Sequence, residues 1–121
     1  MQFNAEASAR AYDGQNLAIK LVSAETQEVV GGLLGSTSYG YLHIDAVFVP
    51  VALRGTGIGR ELVLVAEAEA LGRGCIGAWL DTFSFQAPGF YEKLGYSLFA
   101  VLHDNPPGHT RHFFKKSLTT A

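Results

Sequence analysis

The chain has 121 residues, a mass of 13.0 kDa and a formal net charge of −2, and this size predicts one domain spanning residues 1–121. With 48% hydrophobic and 17% charged residues, the composition excludes a disordered chain, and the slightly negative charge argues against nucleic-acid binding. No apolar run is long enough to span a membrane and no signal peptide is recognisable, so we expect a soluble cytoplasmic protein.

The N-terminal part of the chain predicts a short leader and a β-hairpin. Residues 1–16 are polar and irregular, and Asp13-Gly14 is a turn signal that closes this leader. Two apolar stretches, 17–22 and 29–34, flank a polar segment, which is the pattern of two strands joined by a turn.

A third strand is predicted over residues 41–49, after a polar turn at 36–40. Its alternation predicts Tyr41, His43 and Asp45 on one face and Leu42, Ile44, Ala46 and Phe48 on the other. Pro50 ends the strand because proline has no backbone donor for the ladder.

Helical periodicity begins at Ile58, places Leu62, Val65, Ala66 and Ala70 on one apolar face, and ends at Gly72 and Gly74. A buried strand follows at 75–80, in which we expect Cys75 and Trp79 to be core residues and Asp81 to mark the end. A short helix at 89–94, capped by Gly95, and two strands at 96–102 and 111–117 complete the order strand, strand, strand, helix, strand, helix, strand, strand. This order predicts an α/β (α+β) fold in which helices pack on a mixed, mostly antiparallel central sheet.

The segment from Arg54 to Gly59 joins the third strand to the long helix. Backbone N–H groups and the positive end of the helix dipole would converge there on an anion, with glycine allowing close approach. A flexible turn at the start of a helix is the alternative reading. The segment lacks the lysine and hydroxyl of a Walker loop, and it does not fit the glycine spacing of a dinucleotide fingerprint.

Residues 54–59, Arg-Gly-Thr-Gly-Ile-Gly, resemble the R/Q-x-x-G-x-G/A pyrophosphate loop of the GNAT superfamily of N-acetyltransferases. Residues 87–96 are similar to the second signature of that family, A-x-x-x-Y-x-K-x-G-aromatic. The two motifs have the expected order and spacing, and the resemblance covers residues 17–117. It implies the GNAT architecture, with acetyl-coenzyme A bound where the third and fourth strands splay apart.

The resemblance assigns the coenzyme to one group of residues. Backbone N–H groups of the glycine loop would hold the pyrophosphate, and the end of the third strand would pair with the pantetheine arm. The implied coenzyme-binding residues are Phe48, Val49, Arg54, Gly55, Thr56, Gly57, Ile58, Gly59, Arg60, Ser84 and Phe90. Ser84 stands where the family often has asparagine, and Arg60 could instead be a solvated helix residue.

The same resemblance implies the catalytic groups. Tyr91 matches the tyrosine that meets the coenzyme sulfur, where a phenol can protonate the leaving thiolate; a core aromatic is the alternative. Asp45 is our preferred general base and His43 the other candidate, although both could be structural. We expect Asp81, Thr82 and Phe83 to line the acceptor cleft.

The predicted function is transfer of an acetyl group from acetyl-coenzyme A to a primary amine of a small molecule or protein, by direct attack in a ternary complex. A catalytically weak acyl-coenzyme A-binding or interaction module is the alternative. No metal is predicted, because His103, Asp104, His109 and His112 lack a ligand spacing of known type; His109 and Arg111 are expected to contact the acceptor or anchor their loop.

Family members carry a strand and two helices before the hairpin, and the short leader predicts a cleft that is open or closed by a second chain. We therefore expect a homodimer that uses the hairpin 17–34 and the strand 111–117 as contacts.

Overall fold

A computed structural model describes residues 13–83 and 88–119. The strands are β1 (Gln15–Val22), β2 (Val29–Ser38), β3 (Tyr41–Phe48), β4 (Gly77–Phe83), β5 (Ser97–His103) and β6 (Thr110–Ser117); the α-helices are α1 (Ile58–Gly72) and α2 (Pro88–Lys93), and Val51–Leu53 form a 3₁₀ turn. The predicted order of strands and helices is confirmed.

The strands form a mixed sheet in the order β1-β2-β3-β4-β6-β5. Only β3 and β4 run parallel, and the other neighbouring strands pair antiparallel. The parallel pair needs a crossover, which α1 supplies. The mixed, mostly antiparallel sheet that the sequence predicts is confirmed.

The hydrophobic core lies between α1 and one face of the sheet. Leu62, Val63, Ala66 and Ala70 recur at helical spacing and are buried. The prediction of Val65 on this face is wrong: Val65 is 47% exposed, and Val63 is the buried valine. They belong to one cluster with strand residues such as Phe114, and Cys75 is buried with them as predicted. Within the described ranges, no helix is long and apolar enough to cross a membrane.

Several predicted boundaries are wrong because pairing with neighbouring strands extends the elements. β1 begins at Gln15, inside the predicted leader, whose residues 1–12 lie outside the described ones. β2 runs to Ser38, so the turn is confined to Tyr39 and Gly40, which both have positive φ. The fourth strand does not end at Asp81, since its ladder with β6 continues to Phe83.

A β-bulge changes the faces of the third strand. Leu34 pairs with Ala46 but Gly35 pairs with Ile44, so Asp45 is the extra residue. A bulge reverses the alternation beyond it. Val47 therefore packs against the core and Phe48 is 59% exposed, whereas the sequence predicted Phe48 on the buried face with Ile44.

One further prediction is wrong. Trp79 alternates with the buried Ala78 and Leu80 and lies on the opposite face of β4, outside the core cluster. β6 is hydrogen-bonded on both sides, to β4 and β5, so the predicted dimer contact through 111–117 would have to use a face of this strand and not an edge. The edge strands of this sheet are β1 and β5.

Candidate functional site

A cleft opens where β3 and β4 part. Their parallel ladder runs from Tyr41↔Gly77 to Ile44↔Leu80. Beyond Ile44, β3 stays paired with β2 only, and β4 beyond Leu80 stays paired with β6 only. The resulting cleft has a volume of about 860 Å³, and the two diverging strands leave backbone N–H and C=O groups available along its walls.

The cleft brings together most of the residues predicted from the sequence. Those that line it are Asp45, Phe48, Val49, Arg54, Gly55, Gly57, Gly59, Arg60, Phe90 and Tyr91. Thr56 and Ile58 do not line it: the Thr56 hydroxyl donates to the Leu53 carbonyl, and Ile58 packs against the core. Ser84 lies outside the described residues.

The glycine loop has the conformation that its sequence predicts. Gly55 and Gly57 have φ of 78° and 90°, and a Cβ at either position would meet nothing within 4 Å. These glycines are therefore needed for their left-handed backbone and not for packing. Gly59 differs, because its Cβ would lie 3.2 Å from the Phe90 ring.

Gly57 is also the N-cap of α1, and no side chain caps this end of the helix. The first N–H groups of a helix have no partners within it, and they carry the positive end of the helix dipole. Because Gly57, Gly59 and Arg60 line the cleft, these donors and the Arg60 cation are placed to bind an anion there.

Tyr91 enters the cleft from α2. Its ring packs edge-on against Phe90, with centroids 4.9 Å apart, and against Tyr96 at 5.9 Å. Burial raises the pKa of the Tyr91 hydroxyl above its usual value. The phenol therefore stays protonated at neutral pH and can donate a proton or a hydrogen bond.

Asp45 and His43 lie side by side at the end of the β3–β4 ladder. The Asp45 Oδ1 atom is 2.8 Å from His43 Nδ1, and the His43 ring stacks on Trp79 with centroids 4.0 Å apart. Asp45 lines the cleft and its side chain is 55% exposed, whereas His43 is not among the lining residues. Asp45 is thus the group that a ligand of the cleft contacts, and His43 holds the Asp45 carboxylate through the 2.8 Å contact without lining the cleft itself.

Asp81 is a second carboxylate of the cleft. Asp81 and Thr82 line the cleft, and Phe83 does not. Asp81 Oδ2 accepts a 2.7 Å hydrogen bond from Arg111 Nε, which raises the pKa of Arg111, and Oδ1 lies 3.8 Å from His43 Nε2. The sequence does not reveal the Asp81–Arg111 pair, because it depends on the register of β4 against β6.

The arginine of this pair is also held by aromatic rings. Its guanidinium carbon lies 5.5 Å from the Phe83 centroid and 5.3 Å from the Phe113 centroid. Arg111 is therefore occupied by Asp81 and two rings, which favours anchoring over the predicted contact with the acceptor. In the described part of the chain, no three His, Cys, Asp or Glu side chains are grouped as a metal site requires.

Comparisons of the sequence and of the structure with known proteins all match acetyltransferases. Residues 3–96 match the model of the acetyltransferase (GNAT) family. The chain is 45% identical over 95 residues to blasticidin-S acetyltransferase of Streptomyces morookaense, covering 78% of this chain and 70% of that protein.

Solved structures agree with this match. A crystal structure of an acetyltransferase from Bacillus cereus is 34% identical with a TM-score of 0.84, covering 95% of this chain and 84% of the other. An aminoglycoside 6'-N-acetyltransferase complexed with coenzyme A shares the fold at a TM-score of 0.77 and 23% identity, covering 88% of this chain and 74% of that one.

Proposed function

Since the chain belongs to the GNAT acetyltransferase family and is an acyltransferase, we propose that it transfers the acetyl group of acetyl-coenzyme A to an amine of a small molecule. The observation that carries the proposal is the cleft between β3 and β4, which joins an uncapped helix N-terminus to Tyr91 and Asp45.

The glycine loop is the proposed pyrophosphate site. Backbone donors around Gly55, Gly57 and Gly59 and the side chains of Arg54 and Arg60 supply positive potential at one end of the cleft. The backbone edge of β3 beyond Ile44 that faces the cleft, as far as Phe48, would pair with the amide groups of the pantetheine arm. Val49 follows β3, and because its carbonyl accepts a 3.3 Å hydrogen bond from Arg54 Nε, its N–H is the group proposed to pair. This arrangement directs the thioester toward Tyr91.

The proposed reaction is direct attack of an amine on the thioester. The neutral amine nitrogen bonds to the carbonyl carbon, the carbon–sulfur bond breaks, and an amide and coenzyme A thiol are formed. Asp45, directly or through water, takes one proton from the amine, and Tyr91 gives one proton to the thiolate before solvent restores it. His43 orients Asp45 through the 2.8 Å contact.

A small cationic amine is the proposed acceptor. An ammonium ion approaching the cleft would meet Asp45, whose side chain is 55% exposed, while the charge of Asp81 is already balanced by Arg111. The ammonium ion loses its extra proton to solvent before the neutral amine attacks. The relatives named for blasticidin-S and for aminoglycosides are consistent with an antibiotic or another amine-bearing metabolite.

We also propose that the protein acts in the cytoplasm as a homodimer. The 121 residues contain a single cysteine, so no disulfide can form within them, which suits a reducing compartment. Every residue of the edge strand β5 is exposed, with Leu98 at 51% and Phe99 at 49%, and a second copy could cover this apolar edge.

The proposed function is tested by thiol release from acetyl-coenzyme A with a panel of small amines. We expect amine-dependent release by the parent protein, and release reduced roughly 10²-fold in Tyr91→Phe at unchanged coenzyme affinity. Coenzyme binding without release for any amine of the panel would favour a binding module over an enzyme.

A further inference from the structure

Two buried side-chain polar atoms within residues 13–83 and 88–119 have no hydrogen-bond partner: His43 Nε2 and Thr82 Oγ1. His43 touches two carboxylates of the cleft, and Thr82 itself lines the cleft. Both therefore lie where β3 and β4 part. Of the two, the His43 nitrogen has the Asp81 carboxylate at 3.8 Å, and the Thr82 oxygen is the one considered below.

An unpaired buried hydroxyl is costly to a folded protein. It gives up its hydrogen bonds to water and gains none in return, at a cost of about 1–3 kcal/mol. Valine has nearly the same shape and fits a strand equally well, so packing alone does not call for threonine.

Thr37 is another buried threonine of the described residues, and its hydroxyl does have a hydrogen-bond partner. It is also 5% exposed, but its hydroxyl accepts a 3.1 Å hydrogen bond from Arg73. Thr82 thus differs from Thr37 in its hydrogen bonding and not in its burial. Thr82 lines the cleft, so rotation of its side chain about the Cα–Cβ bond would turn the hydroxyl toward a ligand bound there.

The location of Thr82 indicates which part of a ligand it reaches. It is two residues beyond Leu80, the last β4 residue paired with β3, and it shares the helix-facing side of β4 with Leu80. Tyr91, from α2, packs against the core on that same side and lines the same cleft. The proposed function puts the thioester sulfur at Tyr91, so the acyl group belongs beside it.

We propose that the Thr82 hydroxyl donates a hydrogen bond to the carbonyl oxygen of the acyl thioester, an inference that rests on the proposed function. The hydroxyl keeps its proton throughout; the carbon–sulfur bond breaks as described above, and no further reactant is needed. As the amine adds, negative charge grows on that oxygen, and the bond strengthens. In the ligand-free protein the Thr82 oxygen is buried, so its side chain rotates toward the ligand on binding, and the hydroxyl then stabilises this charge away from bulk water.

The experiment compares Thr82→Val, Thr82→Ser and the control Thr37→Val with the parent protein. Affinity is measured separately for coenzyme A and for acetyl-coenzyme A, because only the latter has a thioester carbonyl. Thermal unfolding of the ligand-free proteins and amine-dependent turnover are measured on the same samples.

We expect Thr82→Val to bind acetyl-coenzyme A about fivefold more weakly and coenzyme A unchanged. Its turnover should fall roughly 10²-fold, as for loss of an oxyanion donor. Its ligand-free melting temperature should not fall, since the unpaired hydroxyl is gone. Thr82→Ser should keep the parent protein's ratio of acetyl-coenzyme A affinity to coenzyme A affinity. Thr37→Val should lose stability but keep the same ratio.

Equal weakening of both coenzymes in Thr82→Val would overturn the inference, because the hydroxyl would then contact the pantetheine arm. Parental affinities and turnover would overturn it as well. A parent protein that binds neither coenzyme nor transfers acetyl groups would instead refute the proposed function, which keeps the two failures apart.

Discussion

Introducing a negative charge at Gly57 tests whether the pyrophosphate binds at the glycine loop. Its φ of 90° strains any side chain, but a Cβ there meets nothing within 4 Å. Asparagine and aspartate have the same shape and both tolerate this backbone conformation better than other residues. Gly57→Asp and Gly57→Asn therefore form a matched pair that differs in one negative charge.

The expected effects separate conformation from electrostatics. Each variant should lose about 1 kcal/mol of stability through the left-handed backbone, which lowers the melting temperature of both by roughly 4 °C. A carboxylate about 5 Å from one phosphate charge is repelled by roughly 1–3 kcal/mol for effective dielectric constants between about 80 and 20. Gly57→Asp should thus bind coenzyme A about 5-fold to 150-fold more weakly than Gly57→Asn.

Titration of coenzyme A into both variants, followed by calorimetry at low and high salt, measures this difference directly. The gap between the variants should shrink as salt rises, because an exposed pair of charges is screened. Equal affinities at low salt, with both folds intact by circular dichroism, would mean that the phosphates do not lie at the N-terminus of α1.

Other predictions follow from the same geometry. Because burial raises the pKa of Tyr91, this residue should act as an acid up to pH values above about 10, and kcat should fall at higher pH as the phenol ionises. Tyr91→Phe should lack this fall of kcat at high pH. Asp45→Asn should lower turnover most at low pH, where little free amine is available, and an equal loss at all pH values would contradict its role as base. Lys116 Nζ lies 2.9 Å from the carboxylate of the buried Glu67, and Lys116→Met should destabilise the protein by about 2–4 kcal/mol because this carboxylate loses its cation. The double variant Lys116→Met, Glu67→Gln should recover part of this loss in thermal melts. Light scattering should give about twice the 13.0 kDa chain mass, and a monomer at micromolar concentration would count against the homodimer.

The sequence predicts much of this molecule because its signals are local. Helical spacing identifies α1, alternating residues identify the strands, and the glycines around Gly57 identify the loop, all without knowledge of the three-dimensional structure. The bulge at Asp45 is not visible in the sequence, since it arises from pairing between β2 and β3 and exposes Phe48.

Long-range pairing explains the other differences. The position of β6 between β4 and β5 is set by sheet order, which the element order does not specify. The Asp81–Arg111 pair and the placement of Trp79 against His43 follow from that order and its register. The unpaired hydroxyl of Thr82 likewise becomes apparent only when all of its neighbours are known.

Product analysis by mass spectrometry tests the central claim most directly. The purified protein is incubated with acetyl-coenzyme A carrying an isotopically labelled acetyl group and with a panel of cationic amines, alongside Tyr91→Phe. The account predicts a labelled amide of one amine and an equal amount of free coenzyme A thiol, with both formed far more slowly by the variant. Thiol release without a labelled amide, or equal rates for the two proteins, would contradict acetyl transfer at this cleft.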